Sequence, residues 1–179
     1  NIRAIAADTE NGLYISGNMK LSLDGKNSKG GTDIFLLKIS QQGPKLWSRS
    51  FGTALDESAT ALATKDAEAV AVVGNLPQTV GTDDDETEKH DAFVVNYNSA
   101  GKQQWTYILK GRNSEQSTVA AWTPAGDLLV GGFTDSSLED QLHSGKEDVF
   151  LAKFDSAGVL LWLRQFGTPE NERPLALAI

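Results

Sequence analysis

The sequence predicts an all-β fold, a β-propeller built from four-stranded antiparallel blades. Three observations predict it: a repeat of 57 or 58 residues, four short apolar runs in each copy, and one strand in each copy that is apolar on both faces.

The repeat is plainest in the segments DIFLLKISQQGPKLWSRSFG from Asp33, DAFVVNYNSAGKQQWTYILKG from Asp91 and DVFLAKFDSAGVLLWLRQFG from Asp148. Within them Asp33, Asp91 and Asp148 recur in step with Gly43, Gly101 and Gly158 and with Trp47, Trp105 and Trp162, each series advancing by 58 and then 57 residues. A second set, YISGN, AVVGN and LVGGF, carries Gly17, Gly74 and Gly132. Counted from Asn1, propeller repeats occupy residues 1–57, 58–115 and 116–172, and residues 173–179 begin a fourth, because Arg173 holds the place of Asn1. A chain that starts without Met and ends on PLALAI reads as a piece of a longer repeat protein. Three blades are too few to close, so the blades are expected to belong to a larger ring.

In the first copy the apolar runs are Ile2 to Ala7, Leu13 to Asn18, Ile34 to Ile39 and Leu46 to Phe51. Each is bounded by Gly, Asn or Asp and has the length of a strand, too short for a packed helix. The third run offers Phe35, Leu37 and Ile39 to one face and Ile34 and Leu36 to the other, and the pattern repeats at Phe93, Val95 and Tyr97 against Ala92 and Val94. Side chains alternate between faces of a strand, so both faces of this sheet are buried between neighbours. Gly43, Gly101 and Gly158 close the turns between the third and fourth strands, where positive φ suits a tight hairpin. The recurring Trp residues are expected to pack between blades, and Trp122, which does not recur, within a strand.

Residues 19–32, 76–90 and 134–147 form loops alike in length and unlike in sequence, so individuality between copies resides there. Ser136 to Leu142 is expected to form one or two helical turns.

Sixteen basic residues against 24 acidic ones give a net charge of -8 with no basic cluster, which argues against a nucleic-acid partner. The absence of Cys excludes disulfides, thiolate chemistry and Cys-ligated zinc. No apolar stretch reaches the roughly 18 to 20 residues of a membrane-spanning helix.

The sequence singles out no catalytic, cofactor-binding or metal residue. His90 and His143 stand at unlike places in the pattern without the spacing of a metalloprotease, and are expected on surface loops. Neither a GxSxG elbow nor a phosphate loop occurs, and no pair among the acids is singled out. For calcium, the turn Asp8 to Gly12 lacks the full ligand series, and Asp83, Asp84, Asp85 and Glu86 are expected to be a solvated loop.

The third copy, with DVFLAKF, the DSAG turn and LLWLRQFG, resembles the bacterial SBBP-type β-propeller repeat, as do DIFLLKI, LWSRSFG and YISG in the first. The second copy departs from it with Asn96 in the place of Lys and TYILKG in the place of the Phe-Gly ending. The resemblance implies a non-catalytic propeller, a scaffold or interaction module of an exported bacterial protein in the extracellular space, at the cell surface or in the periplasm. The partner expected is a protein, a glycan or further repeats of the same protein. The alternative is a hydrolase or lyase using the central funnel of a propeller.

Overall fold

The computed structural model describes residues 1–10, 12–20, 30–78 and 89–179. It is all-β. Strands β1 (Ile2–Ala7), β2 (Leu13–Met19), β3 (Asp33–Ile39) and β4 (Lys45–Phe51) form a first sheet. The second comprises β5 (Ser58–Lys65), β6 (Ala69–Pro77), β7 (His90–Asn98) and β8 (Gln103–Leu109). The third comprises β9 (Glu115–Trp122), β10 (Leu128–Thr134), β11 (Asp148–Phe154) and β12 (Leu160–Phe166). Each sheet is antiparallel with its strands in chain order, and in the first copy the strands match the apolar runs to within a residue at either end.

All three sheets share one register device. The ladder between first and second strands slips by a residue near Ile2, near Ala59 and near Ser117. Opposite each slip stands Gly17, Gly74 or Gly132, where a Cβ would overlap the carbonyl oxygen of Asn1, Ser58 or Gln116. The glycines of the YISGN, AVVGN and LVGGF segments therefore admit a close backbone approach that any side chain would block.

The sheets stack in chain order. Strand β5 packs on β1 and β2, and β9 packs on β5, β6 and β7. The middle sheet consequently has two cores. One face carries Val70, Val72, Phe93, Val95 and Tyr97 against Tyr14, Ile34 and Leu36 of the first sheet. The other carries Ala71, Val73, Ala92 and Val94 against Val130, Phe150, Ala152 and Phe154 of the third. Burial along the third strands follows from this position: Ala92 to Tyr97 are buried without a break, whereas β11 alternates, with Phe150, Ala152 and Phe154 buried and Val149, Leu151 and Lys153 only partly so.

This arrangement corrects the propeller expectation. The sheets do not close into a ring of radial blades; they form a sandwich-like stack in which packing runs from first to second and from second to third. Apolar residues on both faces of a strand require a neighbour on each side, and a stack supplies that to its middle member without a ring. With no ring there is no central funnel. A propeller scaffold, and a hydrolase or lyase working in such a funnel, therefore have no basis in this fold.

Ser136 to Leu142 do not form a helix; a single turn closed by the Gln141 N–H on the Leu138 carbonyl at 2.8 Å stands there. The Leu138 side chain is drawn into the core between the second and third sheets, which fixes the segment as a folded-in loop. No helix among the described residues is long and apolar enough to cross a membrane.

Candidate functional site

Recurring side chains converge where one sheet meets the next, and three kinds of contact build each joint. At the first strands, Asn18 Oδ1 accepts the Ala59 N–H at 2.9 Å while its Nδ2 donates to Ser58 Oγ at 3.0 Å. One repeat later Asn75 Oδ1 accepts the Ser117 N–H at 3.0 Å, and Ser117 Oγ donates to the Gly74 carbonyl at 2.7 Å. These side chains satisfy strand donors that the slipped ladder leaves unpaired. In the third sheet Phe133 replaces the Asn, and the Arg173 guanidinium lies 4.3 Å from its ring.

At the fourth strands the recurring Trp reaches across the stack. Trp47 donates its indole N–H to the Ser99 carbonyl at 2.9 Å, and Trp105 donates to the Ser156 carbonyl at 3.1 Å. Each ring lies against the glycine of the next sheet's hairpin, so that a Cβ on Gly101 would stand 2.8 Å from Trp47 and one on Gly158 2.5 Å from Trp105. Beside Trp47, Arg49 Nε donates to the Gly101 carbonyl at 2.6 Å. Burial against this joint pushes the Tyr97 phenol up to about 12.

The third contact is a carboxylate pair. Asp33 and Glu57, Asp91 and Glu115, and Asp148 and Glu172 are each 24 residues apart in the sequence. Each Glu ties down the loop after the fourth strand: Glu57 accepts the Thr53 N–H at 2.9 Å, Glu115 the Gly111 N–H at 2.6 Å and Glu172 the Thr168 N–H at 2.8 Å. Glu115 Oε1 also accepts the hydroxyls of Thr134 at 2.9 Å and Ser136 at 3.0 Å. Burial, helped by the charge of Asp91, outweighs these bonds and holds the Glu115 carboxyl above its ordinary value. Asp148 Oδ2 accepts the Ser144 N–H and the Gln165 amide, each at 2.9 Å. The acidic partner in each pair was not singled out in the sequence, although Glu57, Glu115 and Glu172 advance in the same steps as Trp and Gly.

The residues weighed for chemistry fall into structural roles. Asp8 Oδ1 accepts the Gly12 N–H at 2.7 Å and the Glu10 N–H at 3.0 Å, and Oδ2 pairs with Lys38 at 3.2 Å, so its oxygens are occupied in closing the turn. His90 is not on a loop but opens β7 opposite Pro77. His143 sits in the loop before β11 with Nδ1 3.4 Å from Asp148 Oδ2. The two histidines are not brought together, and Asp83, Asp84, Asp85 and Glu86 lie outside the described residues. Among the described residues no group of three or more His, Asp or Glu side chains could hold a metal ion. An open cleft of about 580 Å³ between the first two sheets is lined by Glu57, Leu76, Asp91 and Lys110 among others. Glu57 Oε1 is already taken up by Thr53 there, and Asp91 by the Gln78 amide at 2.8 Å.

No family model matches the chain, so the resemblance to the SBBP-type repeat has no support beyond the quoted segments, and the unclosed stack removes the fold it implied. The chain is similar to the regulatory protein FlaEY of Caulobacter vibrioides, with 28% identity over 192 residues. That match takes in 96% of this chain and 20% of FlaEY, so the chain spans about a fifth of the length of the curated relative.

Proposed function

We propose that this chain is a protein-interaction module whose outer sheets dock onto other protein surfaces. A contrast at one repeated position carries the reading. Phe51, at the end of β4, packs on Phe93 of the next sheet with ring centroids 5.8 Å apart, whereas Phe166, at the same position on β12, is 55% exposed. Of the other large exposed apolar side chains on strands, Ile2, Ile5 and Leu46 lie on the first sheet and Leu161 on the third, with Ile108, at 38%, on the middle sheet. Apolar surface that its counterpart buries inside the stack favours a protein partner over solvent.

The role requires no catalysis, and the glutamates that recur in all three repeats each accept a loop N–H, Glu57 from Thr53, Glu115 from Gly111 and Glu172 from Thr168. Similarity to a protein named as regulatory supports it, since regulation works through partners. Further repeats of the same protein are among the partners proposed, and placement outside the cytoplasm remains part of the proposal, checked by fractionating cells that make the full-length protein.

A photoreactive residue at position 5, 166 or 68 tests the reading in cells. Protein adducts are expected from positions 5 and 166 and none from 68, an exposed turn of the middle sheet. Adducts from 68 alone, or equal yields from all three, would overturn it.

A further inference from the structure

The two joints of the stack treat the same glutamate differently. At the joint between the second and third sheets it is satisfied by side chains: Glu115 Oε1 accepts the Thr134 and Ser136 hydroxyls, and the neighbouring Asp91 Oδ1 accepts the Gln78 amide. At the joint between the first and second sheets, Leu76 stands in the place of Thr134 and Gln78 in that of Ser136. Leu76 has nothing to donate, and the Gln78 amide goes to Asp91 and to the Asn113 carbonyl at 2.6 Å. Glu57 is only 1% exposed, yet its Oε2 meets no hydrogen-bond donor among the described residues.

That oxygen is aimed at a second carboxylate. A Cβ on Gly52 would stand 2.2 Å from Asp33 Oδ1 and 2.6 Å from Glu57 Oε2. The two oxygens therefore lie within about 5 Å of each other, a span that one calcium ion bridges with oxygens at about 2.3–2.6 Å on either side. Asp148 Oδ1 and Glu172 Oε2 meet in the same way at Gly167, 2.2 and 2.8 Å from its Cβ position. At Gly111, by contrast, the three nearest atoms all belong to Glu115. Burying a carboxylate oxygen without a donor is costly, and burying it against a second carboxylate calls for a positive charge between them.

We propose that the gap between Asp33 Oδ1 and Glu57 Oε2 holds a calcium ion, which ties the start of β3 in the first sheet to the residue that leads into β5 of the second. Two carboxylates balance its double charge. Water completes the shell, entering from the open cleft of about 580 Å³ that Glu57 and Thr53 line. Calcium accepts such an irregular set of oxygens, whereas magnesium demands a near-octahedral shell at about 2.0–2.1 Å and gives up its water reluctantly. With two carboxylates as its only charged ligands, the site belongs with weak calcium modules, at a Kd of about 10⁻⁴–10⁻³ M. The middle sheet's Glu115 needs no ion, because Thr134 and Ser136 already meet it.

Isothermal titration of the 179-residue chain with calcium chloride, and with magnesium chloride as the comparison, tests this. Glu57→Gln keeps a carbonyl oxygen for the Thr53 N–H and should remove one bound calcium per chain. Calcium at about 10 mM should raise the melting temperature of the parent by roughly 3–10 °C and that of Glu57→Gln by much less. Leu76→Thr gives Glu57 the hydroxyl that Thr134 gives Glu115. It should melt above the parent in chelator and bind calcium about tenfold more weakly, and it carries the test should Glu57→Gln fail to fold. Equal calcium binding by the parent and both variants would put the ion on other acids and overturn the proposal. A parent that takes up no calcium at millimolar concentration would overturn it too, the pair then being neutralised by a proton.

Discussion

The indole of Trp47 lies on Gly101, 54 residues away, and hydrogen-bonds to Ser99 of the same turn. Gly101 therefore serves twice, through a φ of 74° and through the space its missing side chain leaves for the ring. Gly43 shares the conformation, with φ of 97°, but has open space around it. Alanine at Gly43 should cost about 1 kcal/mol, the usual penalty for a Cβ in the left-handed region. At Gly101 alanine should cost that and about 1–3 kcal/mol more for displacing the indole. Urea melts of both variants check the difference; equal losses would show that the indole contact adds nothing.

Much of this was legible in the sequence, and the reason lies in distance along the chain. Strands β1 to β4 were readable because alternation and turn residues act within a few positions. Trp47 and Gly101 were each visible as landmarks, yet their pairing was not, since it depends on which sheet follows which. Glu57, Glu115 and Glu172 escaped notice because DES, SEQ and NER share only the acid itself. A ring does not follow from the sequence: Phe93, Val95 and Tyr97 against Ala92 and Val94 require one sheet with neighbours on both sides, and that is equally true of the middle of a stack.

Asn75 and Asn18 hold the joints at the first strands, and their removal should separate them from ordinary surface polar residues. Asn75→Ala leaves the buried Ser117 N–H without its acceptor, and Asn18→Ala does the same to Ala59. Each is expected to cost about 1–3 kcal/mol, the penalty for a buried donor left unsatisfied. Thermal unfolding, together with faster amide exchange at residue 117 or 59 in the matching variant, would confirm the assignment. Loss of stability without local exchange would point to packing instead.

Glu115 and Asp8 should give stability opposite slopes with pH. Burial first, and then the Asp91 charge, raise the Glu115 carboxyl above 4.5, so the folded state binds its proton more tightly than the unfolded state does. Stability from this group therefore falls as pH rises from the unfolded value through the folded one. Burial of Asp8 acts in the same raising direction, but the Gly12 N–H, Lys38 and the Glu10 N–H together outweigh it and bring the carboxyl below 3.8. Its contribution is present above the unfolded value and lost as pH falls through the folded one. Chemical denaturation as a function of pH should show Glu115→Gln removing a falling component above about pH 4.5. Asp8→Asn should remove a rising component at lower pH. A Glu115→Gln profile parallel to that of the parent would contradict the assignment.

Residues 173–179 should stabilise the third sheet, although they form no named strand. Thr60 Oγ1 donates to the Ser117 carbonyl of the next sheet at 2.7 Å, and Thr118, one repeat on, donates to the Pro174 carbonyl at 3.3 Å. The segment thus lies along β9 much as β9 lies along β5. Its anchor is Arg173, whose Nε and Nη2 bond Glu147 at 2.5 and 2.6 Å while the guanidinium lies on Phe133. Arg173 is exposed, so solvent screens the ion pair, and Arg173→Ala should cost only about 0.5–1 kcal/mol, less at high salt. Arg173→Lys keeps the charge but loses the bidentate fork and the planar stack, and is expected to fall between alanine and the parent. Guanidinium is unsuited as denaturant here because it is itself a salt, so the series calls for urea at two ionic strengths. If alanine and lysine variants melt together at both, the anchor is the backbone contact at Pro174 and not the arginine.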